Sequence, residues 1–463
     1  MFMEHRLITL ILSFILYFVQ LTYAQDLIIS SFHVQESQSD SLARPVLDLK
    51  DLVQEVIDRN PDLEAARSRI KAASFVVPRV KALDDPEFTF VTMNNPFGCK
   101  NEFMPERIYK FSQKIPFPGK LSTKGKIAEY ELAFVESEKI ITHQELILQT
   151  KKLYFRLYLN QASIDINKQN RTIITRLMQG ALAVYKTGRA PQSDALKAHI
   201  ELQMLDDELL TLESERASLI AMLNAILDRE QQEPLGEPKV VFFADIDLHY
   251  DQLEEIAMRS RPELHGLQAM VDEQGARAKL ARLEYFPDFT FEFMLQDHPR
   301  ANQKAWGLSV GMNVPIWIGQ KQSKEVQEAE SRAHANTSSL HGLRAMIRGR
   351  IKELLAQIKA AQERIVLFGS GLLKKTAAIL ASNEAQYRVG KGNFLTVLDT
   401  RRQLQDFERD YERARIEREI LLAELERAIG APLGNMVLLT TNSLKYLNML
   451  SKNMDADKTE SMK

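Results

Sequence analysis

The chain sets out its pattern twice, and a duplicated pattern dictates architecture before any single element does. Pro86-Glu87-Phe88-Thr89-Phe90 returns as Pro287-Asp288-Phe289-Thr290-Phe291, a shift of 201 (287 − 86). Asn60-Pro61-Asp62-Leu63 returns as Arg261-Pro262-Glu263-Leu264 at the same shift. Tyr185-Lys186-Thr187-Gly188 returns as Tyr387-Arg388-Val389-Gly390 at 202 (387 − 185). Three landmarks in nearly one register mark a repeated structural unit. The 463 residues therefore hold two copies of one long unit rather than the three domains that length alone suggests.

The first residues have the form of a secretory leader: His5 and Arg6, an apolar run from Leu7 to Leu21, and Ala24 before Gln25. The run falls short of the ~20 residues a membrane-spanning helix needs, although a single membrane anchor stays open as the alternative. Cys99 is the only cysteine, so there is neither an intramolecular disulfide nor a lipid-accepting Cys after the leader. A net charge of −2 gives no basic field for nucleic acid. Beyond the leader, no segment reads as a transmembrane helix.

Most of each unit is helical. Leu202, Leu205, Leu209, Leu212, Leu219, Leu223 and Ile226 form a heptad-like stripe, repeated at the shift of 202 by Leu404, Phe407, Tyr411, Ala414, Leu421, Leu425 and Ala428. From Leu121 to Tyr185 there is no proline, and the same holds from about Gln320 to Tyr387. The expected organisation is a leader over 1–24, an extended lead-in over 25–46, repeat one over 47–229, a linking equatorial segment over 230–248, repeat two over 249–430 and a tail over 431–463. Helices are expected at about 51–77, 120–185 and 192–228 in repeat one, and at 251–284, 320–387 and 394–429 in repeat two. Such lengths, with narrow apolar seams and broad polar faces, suit hollow packing better than a thick core.

Between the helices lie two strand signals per unit, at about 87–93 and 106–114, and at 288–296 and 305–314. Phe289, Phe291, Phe293 and Leu295 alternate with polar or smaller residues, as do Leu308, Val310, Met312 and Val314. One apolar and one polar face at period two is the pattern of a lipid-facing barrel strand, though a hairpin on a soluble core shares it. Four strands cannot close a membrane barrel, and an open edge is forbidden in lipid. Strands in a membrane would therefore require several chains to build one barrel.

The leader, the duplicated hairpin and long-helix unit, and the Tyr-x-x-Gly turns together resemble the TolC-like outer-membrane efflux family, over about Leu47 to Gly430. Pro116-Phe117-Pro118-Gly119-Lys120 is most similar to the CzcC/CusC heavy-metal branch. The resemblance implies a mainly α protein with a small membrane β part. Three chains would make a 12-stranded barrel continuing into a periplasmic α-helical tunnel. It implies an outer-membrane location and surrounding lipid, a periplasmic adaptor and an RND-type inner-membrane pump as partners, and no cofactor. Gly188, Gly390 and Tyr185 would lie at the helical-hairpin tips where the adaptor docks. Counted from the glycines, Asp194 and Tyr387 match the family's bonding aspartate and tyrosine, and Asp399 matches one constricting carboxylate. The other constricting position is Thr396, and the family's basic residue after the second glycine is Gly392, so the gate is expected to be looser or differently latched.

No phosphate-binding glycine loop, Cys pair or zinc-protease motif occurs. His334 and His341 lie seven apart but lack carboxylate or Cys partners at ligand spacing, so no metal site is expected. The chain reads as a non-enzyme. Three readings stay open: a passive efflux duct for heavy-metal cations or small toxic molecules, the duct of a type I protein secretion system, and an exported coiled-coil scaffold.

Overall fold

The computed structural model describes residues 46–93, 106–188, 190–239, 249–298 and 302–433. The expected leader, nearly all of the lead-in, Cys99, residues 240–248 of the linking segment and the tail from 434 onward lie outside the described residues. Repeat one runs β1 (Val46–Leu47), α1 (Leu49–Arg59), α2 (Pro61–Lys81), β2 (Glu87–Met93), β3 (Glu106–Ile115), α3 (Lys120–Lys186) and α4 (Gln192–Ile226). After β4 (Glu237–Pro238), repeat two runs α5 (Tyr250–Ser260), α6 (Pro262–Leu283), β5 (Phe289–His298), β6 (Gln303–Met312), α7 (Gln322–Val366), a π turn (Leu367–Leu372), α8 (Leu373–Arg388) and α9 (Phe394–Ile429).

Three expectations need correction. The helices expected over 51–77 and 251–284 are each two helices, broken at Asn60-Pro61 and Arg261-Pro262. Proline has no N–H to continue the ladder and is preset for a first helical position, where both prolines sit. Asn60 is extended (φ −62, ψ 126), and its Oδ1 accepts from the Asp62 N–H at 2.9 Å, which starts the next helix. The helix expected over 320–387 starts at Gln322 and is interrupted by the π turn. Finally, one 18-residue window within Gln322–Arg388 does reach a mean hydropathy of 1.4, apolar enough by composition to cross a bilayer. It belongs to the coiled coil, and only 11% of it is buried in the single chain.

The π turn explains why the repeat shifts by 201 before it and 202 after it. Buried Leu146, Thr150, Leu157 and Asn160 of α3 correspond at 201 to buried Ile347, Ile351, Ile358 and Ala361 of α7. Beyond the turn, buried Ile174 corresponds to buried Thr376 at 202. A π turn holds one residue more than an α turn, so an added residue is looped in without rotating the helix below it. Gly369 sits there because a Cβ would meet the Tyr411 ring at 3.0 Å.

The core is narrow, as the helix patterning requires. In repeat one Leu52, Val56, Leu63, Tyr154, Phe155 and Leu223 cluster, and in repeat two Leu253, Leu264, Ile347, Ile351, Leu354 and Leu425 do so. Helix α6 packs against both α3 and α7, while α2 packs against α3. Around the middle, β1 and β4 form a short parallel pair tied to α3 by Tyr154. Its hydroxyl donates to the Lys239 carbonyl and lies 3.0 Å from that of Leu47. Burial is the main reason its phenol is pushed up to about 12.

The four strands form one antiparallel sheet in the order β2-β3-β5-β6, so β3–β5 pairing joins the repeats. Its rows align aromatic and aliphatic residues on one face: Phe88–Phe111–Phe293–Leu308 and Phe90–Tyr109–Leu295–Trp306. The other face carries Glu87–Ser112–Glu292–Ser309, with Lys110 paired to Glu292 at 2.6 Å. The apolar face is open: Trp306 is 74% exposed and Phe88 67%.

Where sheet meets helix, a charge is buried. Lys120, the first residue of α3, is 2% exposed, and its Nζ donates to Asp288 Oδ1 (2.7 Å), Glu284 Oε2 (2.9 Å) and the Phe286 carbonyl (3.1 Å). Asp288 also accepts from the Phe117 N–H at 3.0 Å. All three ammonium donors are used, which is the condition for keeping a charge out of water. Sequence reading saw Lys120 only as the end of a turn motif and missed this junction.

Candidate functional site

Both long coiled coils end in the same turn. Gly188 and Gly390 adopt φ of +72 and +76, conformations that side chains resist, and their N–H groups donate to the Tyr185 and Tyr387 carbonyls at 2.8 and 2.9 Å. Gly392 is held to glycine by sterics. A Cβ there would lie 2.7 Å from the Tyr387 backbone nitrogen, because Lys391 and Gly392 both donate to the Gln386 carbonyl. A basic side chain at this position is incompatible with the turn. Tyr185, at the other tip, is 40% exposed.

The two tips meet through Tyr387, whose hydroxyl donates to Asp194 Oδ2 at 3.5 Å. Its ring packs on Phe394 (centroids 5.2 Å apart) among Ile174, Ala198 and Leu398. Burial, and then the charge of Asp194, raise the Tyr387 phenol above its ordinary value, so it stays a donor. Asp194 lies in the first turn of α4, where a carboxylate also suits the helix dipole.

Above this contact the structure adds residues that sequence reading missed. Glu201 pairs with Arg402, whose Nε donates to Glu201 Oε2 at 2.7 Å. One heptad higher, Glu208 pairs with Arg409. Asp194, Glu201 and Glu208 are seven apart on α4, and Arg402 and Arg409 are seven apart on α9, so a coiled-coil seam brings them into register. The spacing was visible, but no single chain pattern says which stripe faces which. Arg401, 7% exposed, donates to Asn170 Oδ1, and burial lowers its pKa.

Asp399 and Thr396 lie on the exposed side of α9, where Asp399 adjoins the ladder through Arg402. They share an open groove on α9 with Thr400, Arg402, Gln403 and Asp406. Asp399 is 59% exposed at its side chain, with Arg402 Nη1 at 3.8 Å. Thr396 is exposed, and its carbonyl accepts from the Thr400 hydroxyl at 2.7 Å. Asp406 follows Asp399 by seven residues and lines the same groove. Burial, and then the charge of Asp410, raise its pKa. Among the described residues no group of three or more His, Asp or Glu side chains could hold a metal ion.

Residues 253–431, nearly all of repeat two, match the model of the outer membrane efflux protein family. The outer membrane protein TolC of Vibrio cholerae serotype O1 is 22% identical over 319 residues, covering 65% of this chain and 72% of that protein. Over repeat two and in its relative the chain is similar to the TolC-like outer-membrane efflux proteins. Its fold is shared with the channel CusC (TM-score 0.74, 16% identity, 84% of this chain and 93% of that one). The open-state MtrE channel of Neisseria gonorrhoeae is similar as well (TM-score 0.71, 15% identity, 83% and 89%). The family model falls on repeat two, while the structural likeness spans both repeats.

Proposed function

We propose that three copies of this chain close a 12-stranded barrel in the outer membrane and extend it as a helical periplasmic duct. One observation carries the reading. One face of the four-stranded sheet carries consecutive apolar rows, Phe88–Phe111–Phe293–Leu308 and Phe90–Tyr109–Leu295–Trp306, and among the described residues β2 and β6 each pair with one strand only. An isolated sheet of this kind is excluded from lipid, and a ring of three has no edge left.

The duct is the passive exit of a tripartite efflux system, reached by a cleaved leader and carrying cations or small toxic molecules. The turns at Gly188 and Gly390, with Tyr185, dock a periplasmic adaptor that joins the duct to an RND-type pump. Asp194 and Tyr387 latch the tips. Asp399 and Thr396 face the narrowest part of the pore, where three carboxylates around the axis favour cations.

The test is reconstitution of the purified full-length protein in planar bilayers. Heat-resistant trimers with single-channel conductance are expected, and a non-conducting monomer would overturn the reading. A deletion strain is expected to become sensitive to metals or small toxic compounds without losing a secreted protein.

A further inference from the structure

The chain contains one complete junction between its repeats, and the same duplicated parts supply an unfilled copy of it. Lys120 of repeat one holds Asp288 of repeat two beneath the β3–β5 pairing. At the shift of 201, Lys120 corresponds to Lys321 and Asp288 to Glu87. Both are exposed, and neither makes an ion pair among the described residues.

The register is supported by ion pairs that do recur. Lys81–Glu129 (2.8 Å) in repeat one has its copy, at the same shift, in Arg282–Glu330 (2.6 Å). The hairpins obey it too, since Phe88↔Phe111 and Phe289↔Met312 are the same pairing in the two repeats.

We propose that Lys321 of one chain pairs with Glu87 of the next copy, and that this contact and its flanking surfaces set the register of the seam between protomers. This rests on the assembled-duct reading and deepens it. Carried over by the same shift, the internal pairs Ile115↔Phe289, Gln113↔Phe291 and Phe111↔Phe293 become Ile316 opposite Phe88, Val314 opposite Phe90 and Met312 opposite Thr92 of the next copy. β6 therefore lengthens at the seam. Val314 (64% exposed) and Ile316 (72%) already continue its apolar alternation past Met312, where the strand ends in the single chain.

The helices carry the same asymmetry. Pro262, Gly266, Ala269 and Glu273 of α6 are buried, whereas their counterparts Pro61, Ala65, Ser68 and Ala72 on α2 are exposed. At Gly266 a Cβ would meet Ser137 at 3.1 Å and Phe134 at 3.4 Å. Its counterpart is Ala65, and the counterpart of Phe134 is the exposed Ala335. The seam thus exchanges glycine against phenylalanine for alanine against alanine, which keeps room for the added methyl. A second copy is the occupant with the matching repeat.

The experiment uses full-length protein with Cys99→Ser, extracted from outer membranes. Directly opposed strand residues have Cα atoms close enough for a disulfide. Phe90→Cys with Val314→Cys is expected to give oxidised, covalently linked trimers. The pair Phe88→Cys with Met312→Cys, out of register by two full pleats, is expected to give none. Separately, Lys321→Glu and Glu87→Lys are each expected to lose heat-resistant trimer, and the double reversal to regain it. Conducting trimers that link only through the offset pair, or a double reversal no better than the single variants, overturn the seam while leaving the duct intact. Failure of the unsubstituted protein to form trimers overturns both.

Discussion

Lys120 is the residue on which the join between sheet and helices most depends. Replacing it with methionine leaves Asp288 buried without its main partner, and a broken buried pair costs on the order of 3 kcal/mol. Lys120→Met is expected to lower the temperature at which the assembled protein melts, with part of the loss recovered by adding Asp288→Asn. At the tips, Glu201→Gln removes the charge that holds Arg402. The tips are then held by Glu208–Arg409 and the longer Tyr387–Asp194 contact alone in this ladder, and a larger open fraction in single-channel records is the expected readout. Glu263 offers a pH test. Burial opposes its charge, but bonds from Arg261 and Arg427 dominate and hold its carboxyl at about 2. A depressed carboxylate contributes stability that is complete above its ordinary value near 4.5 and is lost as the pH falls through about 2. Acid melting curves should flatten over that window in Glu263→Gln.

Among the elements, the π turn has the least expected property. It stores one residue, so deleting Ser370 converts it to α-helix and leaves α7 and α8 in their present faces. Deleting Glu353 from the middle of α7 instead rotates everything beyond it by about 100°, and Ile358 and Ala361 leave the core. The yield of heat-resistant assembly is expected to survive the first deletion and not the second. The change of shift from 201 to 202 was legible in the sequence, but its location was not. An insertion between distant landmarks fits anywhere along the helix that joins them, and only the buried positions on either side fix it. Asn160 and Asn167 are a similar case. Their amides donate to the Leu212 and Leu205 carbonyls at 3.0 and 3.1 Å, pegging α3 to α4 through polar atoms that an apolar stripe does not reveal.

For the whole molecule, the two coils are built to different specifications. Repeat one carries the asparagine pegs, whereas repeat two has Ala361 in place of Asn160 and holds the π turn, the exposed groove and Asp399. Asp399→Ala channels are expected to show weaker cation preference from reversal potentials under a salt gradient. Unchanged selectivity would remove Asp399 from the pore.

The sequence by itself determined the duplication, the strand and helix types, the turn glycines and, for strands placed in a membrane, the need for more than one chain. All of these follow from periodicity, chain stereochemistry and the cost of an unpaired edge in lipid. The tyrosine and the aspartate at the tips were also legible there, through resemblance. Only the tertiary structure decided that Glu201 faces Arg402, that Glu208 faces Arg409 and that Lys120 is buried on Asp288. Those choices depend on how helices from opposite halves of the chain are rotated and aligned against each other. Local pattern specifies which face of a helix is sticky, whereas the packed assembly specifies what that face meets.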